Sequence, residues 1–137
     1  MRSEIEFHDS TIVAIAQEGT SLRLSVDAYV HRWELVAGKW KGTGWKQPVQ
    51  IIMVGATCAR PSELPARLYT GEIRASQVKY DNMVPLPFAL SEPVTLRLEF
   101  DTAELLEVCG RDIAIEPTGP GRYIEELPDE FKPTGAG

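Results

Sequence analysis

Apolar and polar residues alternate one by one along several stretches of this chain. From Val94 to Phe100 every second residue is apolar, so Val94, Leu96, Leu98 and Phe100 share one face of an extended strand. Thr95, Arg97 and Glu99 take the other. Leu22, Leu24, Val26, Ala28 and Val30 alternate in the same way with Arg23, Ser25, Asp27, Tyr29 and His31. Tyr69 to Ala75 is a shorter copy, and Val49 to Val54 is apolar on both faces, as a strand covered on both sides would be. No window of about 12 residues carries an i, i+3, i+4, i+7 stripe. The nearest helical candidate, Pro61 to Leu68, is interrupted by Pro65. The pattern predicts strands near 5–8, 11–17, 21–33, 48–55, 69–75, 94–100, 104–109, 112–116 and 122–126.

Turn chemistry supports the alternation. Glu18-Gly19-Thr20-Ser21 places Gly first in a two-residue loop, as a type II′ hairpin requires. Its register pairs Ile15 with Leu24 and Val13 with Val26, so apolar residues meet across the ladder. Cys109-Gly110-Arg111-Asp112 has the same chemistry and would pair Val108 with Ile113 and Leu106 with Ile115. A third hairpin is expected through Asp101-Thr102-Ala103. Three stretches read as connections: Val36 to Pro48 with its three glycines, Thr57 to Leu68 with two prolines, and the extended Val84-Pro85-Leu86-Pro87-Phe88. These signals predict an all-β fold, a single-domain antiparallel β-sandwich or partly open barrel built from hairpins over residues 1–127, with 128–137 as a flexible tail.

Composition narrows the class. A chain of 137 residues is long enough to bury one core without a disulfide or metal. No apolar run approaches the roughly 18 residues of a membrane-spanning helix, and the opening MRSEIEFHDS shows no apolar signal segment. The expected setting is therefore cytoplasmic, with no membrane partner and with Cys58 and Cys109 as reduced thiols. Twenty acidic against 14 basic residues leave a net charge of -6, which repels nucleic acid and suits a basic protein partner or, more plainly, keeps the protein in solution.

Chemistry-bearing residues are few. His8 and His31 are the two histidines, and in the type II′ register they lie across from each other. The face that holds them also carries Ser10, Asp27, Tyr29 and Trp33, opposite the face that buries Val13, Ile15, Leu24 and Val26. Asp9 falls on the core face unless a bulge or turn at Asp9-Ser10 lifts it out, and such a kink would change the phase of His8. Two imidazoles with Asp27 or a Glu have the chemistry of a divalent-metal site or an acid–base pair. Their plainer reading is as half-exposed strand residues, and no metal or cofactor is assigned. The Lys39 to Lys46 segment interleaves lysines with Trp40 and Trp45. Its three lysines are a thin footprint for nucleic acid. It reads as a mobile loop over a pocket or a docking loop through Trp45, or more plainly as tryptophans lapped onto the sheet. Cys58 lacks a legible partner for nucleophilic catalysis, and Glu125-Glu126 and Glu104/Glu107 read as solvated strand faces.

Five segments carry a resemblance. Phe7-His8-Asp9-Ser10, Gly42-Thr43-Gly44-Trp45, Tyr69-Thr70-Gly71-Glu72-Ile73, Val84-Pro85-Leu86-Pro87-Phe88 and Tyr123-Ile124-Glu125-Glu126-Leu127 together resemble a family of small, uncharacterised bacterial β-rich proteins. Some members are encoded close to polymorphic secreted toxins, and the FHDS opening resembles the start of several immunity-protein families. The resemblance implies a cytoplasmic protein that acts by binding, with no catalytic residues to carry over. Two functions are therefore expected: a protein-interaction module, in its sharpest form an immunity protein that neutralises a basic toxin, or a small-ligand-binding β domain. The second would use a pocket of His8, Tyr29, His31 and Trp33 gated by the Trp45 loop. A metal-dependent enzyme ranks third.

Overall fold

The computed structural model describes residues 1–59 and 61–129. Those residues form strands β1 (Arg2–Glu18), β2 (Ser21–Val36), β3 (Lys39–Val54), β4 (Ala66–Ala75), β5 (Lys79–Asp81), β6 (Met83–Pro85), β7 (Phe88–Leu90), β8 (Val94–Phe100), β9 (Leu105–Gly110), β10 (Asp112–Pro117) and β11 (Arg122–Leu127). The fold is all-β and every ladder is antiparallel. The principal strand order is β7-β10-β3-β2-β1-β4-β8-β9, with β11 also on β3, β5 on β4 and β6 on β1. The path does not close into a barrel. β4 is paired in register with β1 at Thr11↔Arg67 and Ile12↔Ala66, and then joins β8 and β5. One apolar cluster results, in which Leu22, Leu24, Val26 and Ile51 meet Leu96, Leu98, Phe100 and Val108. The predicted tail falls, from residue 130 onward, outside the described residues.

Local signals and structure agree at two hairpins. Gly19 has φ of 61°, and Glu18↔Ser21 and Ile15↔Leu24 pair as the turn demands. The turn after Phe100 closes through Phe100 N–H to the Glu104 carbonyl, with Ala103 at φ 72°. The Cys109–Asp112 hairpin is not formed. β9 pairs with β8, whereas β10 pairs with β3 and β7. Gly110 and Arg111 are instead a corner, with the Arg111 N–H donating to the Val54 carbonyl. Val108 and Ile113 both reach the core, but from strands that part company at the turn.

Residues 36–48 are also corrected. They are not a loop: β2 and β3 run side by side from Ser21↔Val54 to Val36↔Lys39, turning through Ala37 and Gly38, both with positive φ. Two features let this glycine- and proline-bearing segment stay in the sheet. Pro48 has no N–H to give. Its carbonyl accepts from Thr118, so its missing donor faces the side where the neighbouring strand breaks between β10 and β11. Gly42 stands across from Trp33, whose indole lies over the glycine's backbone.

Val13 was expected in the core and is 47% exposed. It is an extra residue between the pairs Ile12↔Val26 and Ala14↔Ser25, and Ile12 is buried in its place. Likewise Val49 to Val54 buries one face, Val49, Ile51 and Met53, and leaves Ile52 and Val54 half-buried.

A Cβ built on Gly42 would stand 2.6 Å from the Trp33 ring, which is fully buried and has nowhere to retreat. Gly42→Ala should therefore cost about 1–3 kcal/mol in urea unfolding, the range of an overpacked interior. A midpoint equal to that of the wild type would show that the indole does not lie on this backbone.

Candidate functional site

The polar face of β1 and β2 is organised by a large irregularity. Between Glu6↔Tyr29 and Thr11↔Asp27, β1 carries four residues, Phe7 to Ser10, against Ala28 alone. Asp9 takes φ of 73°, as its local hydrogen-bonding side chain tolerates. Ser10 is fully buried; its hydroxyl donates to the Glu6 carbonyl at 2.6 Å and accepts from the Tyr29 N–H at 2.9 Å. Asn82 closes the other side. Its carbonyl accepts from Phe7 N–H, its side-chain oxygen accepts from His8 N–H at 2.8 Å, and its amide donates to Glu6 Oε2 at 3.3 Å. The kink expected at Asp9-Ser10 is thus present.

The kink moves His8. The residue across from His31 is Glu4, not His8, because the excess residues in β1 displace the register. Both imidazoles nevertheless line one cleft of about 280 Å³, together with Glu6, Asp9, Tyr29, Glu125, Leu127 and Pro128. His31 is 4% exposed, and its Nε2 lies 3.1 Å from Glu6 Oε1. A carboxylate oxygen accepts, so this geometry assigns the proton to Nε2. The Tyr29 and His31 rings meet edge to face at 5.3 Å between centroids. His8 is half exposed; its Nδ1 lies 2.7 Å from the Tyr69 carbonyl, which places a proton on Nδ1.

Tyr29 is the centre of this wall. Its hydroxyl donates to Glu125 Oε1 at 2.6 Å. Gly44 gives the phenol its room, since a Cβ there would run into the hydroxyl. Burial, reinforced by the hydrogen bond to Glu125 and its charge, raises the phenol's pKa well above the ordinary tyrosine range. It is a proton donor at every physiological pH. On the other flank of Tyr29 the Lys46 ammonium lies 5.8 Å from the ring centroid and donates to the Asp9 carbonyl. Burial lowers the pKa of Lys46 from its usual value. Arg67 pairs with the Asp9 carboxylate.

Of the five residues expected at a pocket, His8, Tyr29 and His31 come together and two do not. Trp33 is on the same strand face but 1% exposed, packed on Gly42 and absent from the cleft lining. Trp45 is in β3, not in a gating loop, and on the opposite sheet face. There it stacks edge to face with Tyr123 at 5.6 Å, and the Arg32 guanidinium sits 4.1 Å above its ring. Tryptophan lapped onto the sheet is what the structure contains. Glu6 and Glu125 were not singled out as site residues, and both belong to it. No short-range signal could have found Glu125, which lies 96 positions from Tyr29 in sequence. Cys58 packs partly buried against the core. Among the described residues no three His, Cys, Asp or Glu side chains are grouped to hold a metal ion. Among the described residues no helix is long and apolar enough to cross a membrane.

Comparison with protein-family models, curated proteins and solved structures finds no match to this chain.

The raised Tyr29 pKa sets a direction for stability. A phenol that holds its proton more tightly in the fold stabilises the fold fully below the unfolded value of about 10, and that contribution is lost as pH climbs through the raised folded value. Subtracting the ultraviolet titration of Tyr29→Phe from that of the wild type isolates this phenol. It should ionise above the ordinary tyrosine range, and Glu125→Gln should bring it down. A difference curve centred in the ordinary range would show that Tyr29 is neither buried nor bonded as described.

Proposed function

We propose that this protein is a small-ligand-binding β domain and that the cleft of Glu6, His8, Tyr29, His31 and Glu125 receives the ligand. The observation that carries the reading is the convergence of Tyr29 and both histidines with the carboxylates of Glu6, Asp9 and Glu125 around one recess. The polar groups are fixed by bonds to one another, as in a preformed site. Carboxylates beside aromatic faces suit a ligand with an ammonium or guanidinium group. Nothing in the arrangement supplies an activated nucleophile, so the reading is binding rather than catalysis.

n-Pentylamine is a sufficient probe. In an NMR titration it should give saturable shifts at Tyr29, His8 and His31, weakened about tenfold by Glu125→Gln, as expected on losing a charge-assisted contact. Shifts that stay linear to the highest concentration, or that leave Tyr29 and the histidines unmoved, would remove the cleft as a ligand site.

A second reading keeps the chain as a cytoplasmic protein-interaction module, an immunity protein that neutralises a basic toxin. It is supported by the net charge of -6, by the resemblance and by β11, whose Tyr123, Ile124, Glu125 and Glu126 are exposed and whose Glu125 lines the cleft. On this reading a basic protein encoded next to this one co-purifies with it in stoichiometric amount. Glu126→Lys and added salt both weaken the complex, by at least about tenfold for the substitution. A neighbouring gene product that fails to bind, or binds equally well after Glu126→Lys, would remove it.

A further inference from the structure

A second cleft, of about 320 Å³, adjoins the first. It is lined by Asp9, Thr11, Tyr29, Lys46 and Arg67, and it shares Asp9 and Tyr29 with its neighbour. The fold explains the juxtaposition. β1 has β6 on its outer edge at Glu4 to Glu6 and β4 at Thr11 and Ile12, and the Phe7–Ser10 irregularity spans the change. Arg67 comes in with β4, across from Thr11. Lys46 comes in with β3, across from Tyr29. The two recesses therefore share one tyrosine, and cations line only the second, where Asp9 and Asp27 also act on Lys46. On one side are Glu6 and Glu125; on the other are Lys46 and Arg67, with Asp9 between.

The cationic side has capacity to spare. An ammonium carries three donors. Among the described residues, Lys46 gives a hydrogen bond to one acceptor, the Asp9 carbonyl, although it is half-buried. Thr11 adds a hydroxyl on the same wall, and the Arg67 guanidinium, more than half exposed, has further N–H groups beyond those facing Asp9 and Asp101. These are the donors that a carboxylate accepts from.

We propose that the two clefts are one groove and that its ligand is a small ω-amino carboxylate. Its ammonium sits between Glu6 and Glu125, its carboxylate takes Lys46, Arg67 and Thr11, and its aliphatic spacer lies along Tyr29. The proposal rests on the reading of the first cleft as a ligand site and adds the anionic end. An α-amino acid carries both charges on one carbon and cannot reach the two sides of a tyrosine ring. A spacer of several methylenes can.

Calorimetric or NMR titration with 5-aminopentanoate, n-pentylamine, pentanoate and alanine tests this. The wild type should bind 5-aminopentanoate about tenfold or more tightly than each of the other three, the effect of one additional charge-assisted contact. Lys46→Met should bring 5-aminopentanoate towards the affinity of pentylamine, weakening it more than it weakens pentylamine. Arg67→Gln, at an exposed position where folding is not at stake, should weaken 5-aminopentanoate in the same selective way. Equal binding of 5-aminopentanoate and pentylamine, or equal loss of both in Lys46→Met and Arg67→Gln, would overturn the anionic end while leaving the first cleft as a cation site. Preference for alanine would overturn the spacer. Absence of binding by all four would remove the ligand site and this proposal together.

Discussion

The site depends on how β1 gains and recovers register against β2. A strand exposes alternate side chains to its two faces, so an odd number of inserted residues reverses which parity faces the core. β1 carries three residues in excess at Phe7–Ser10 and one at Val13. Each insertion reverses the phase, and the two cancel. Ile5 and Phe7 are therefore buried before the first and Ile15 after the second, whereas Ile12 is buried between them and Val13 turns outward. β2 buries Leu22, Leu24, Val26, Ala28 and Val30 without interruption throughout. A strand that deviated only at Phe7–Ser10 would have put Ala14 and Ala16 on the core face in place of Ile15. By deviating twice β1 keeps its apolar set inside and sends His8 and Asp9 to the mouth of a cleft.

The opposite wall is made by what β3 lacks. Gly42 and Gly44 lie at alternate positions, on the face shared by Trp33, His31 and Tyr29. Glycine interrupts a strand at some entropic cost because it has the most backbone freedom to lose. Here the large rings cover the bare backbone and offset that cost, and the sheet gains a second buried aromatic layer outside the main core. Tyr29 projects over Gly44 far enough to reach Glu125 on β11. The glycines that make residues 39–48 look like a loop are thus what allow this face to be recessed.

That explains which features were legible in the sequence. Alternation depends on one-residue periodicity, and it located the strands from Leu22 to Val30 and Val94 to Phe100. Gly19 announces its own positive φ, and the polar pair Asp9-Ser10 announced the kink. Glycine's other use, as space beneath an aromatic ring, depends on the residue across the ladder, so Gly42 and Gly44 were read as breaks. Gly110 shows the converse: turn chemistry was right locally, but whether two strands stay together after a turn is decided by their other neighbours, β8 and β3. For the site, parity correctly put Tyr29, His31 and Trp33 on one face. It could not rank them by depth, so Trp33 was drawn into the pocket, and it could not bring in Glu125 from the other end of the chain.

The hydrogen bonds around Tyr29 also bear on the ligand site proposed here. Glu6 gives one oxygen to His31 and the other to Asn82, and Glu125 accepts a hydrogen bond from the Tyr29 hydroxyl. Each carboxylate is held in place yet retains acceptor capacity, since its two oxygens offer about four lone-pair directions. A ligand cation then meets oxygens whose orientation was settled on folding, and little further ordering opposes its binding. The same arrangement disfavours proton transfer by the Tyr29 phenol. A general acid works best with a pKa near the working pH. Burial and Glu125 drive the Tyr29 phenol away from that range. The network fixes the positions of its charges in advance, which is what the proposed ligand site requires.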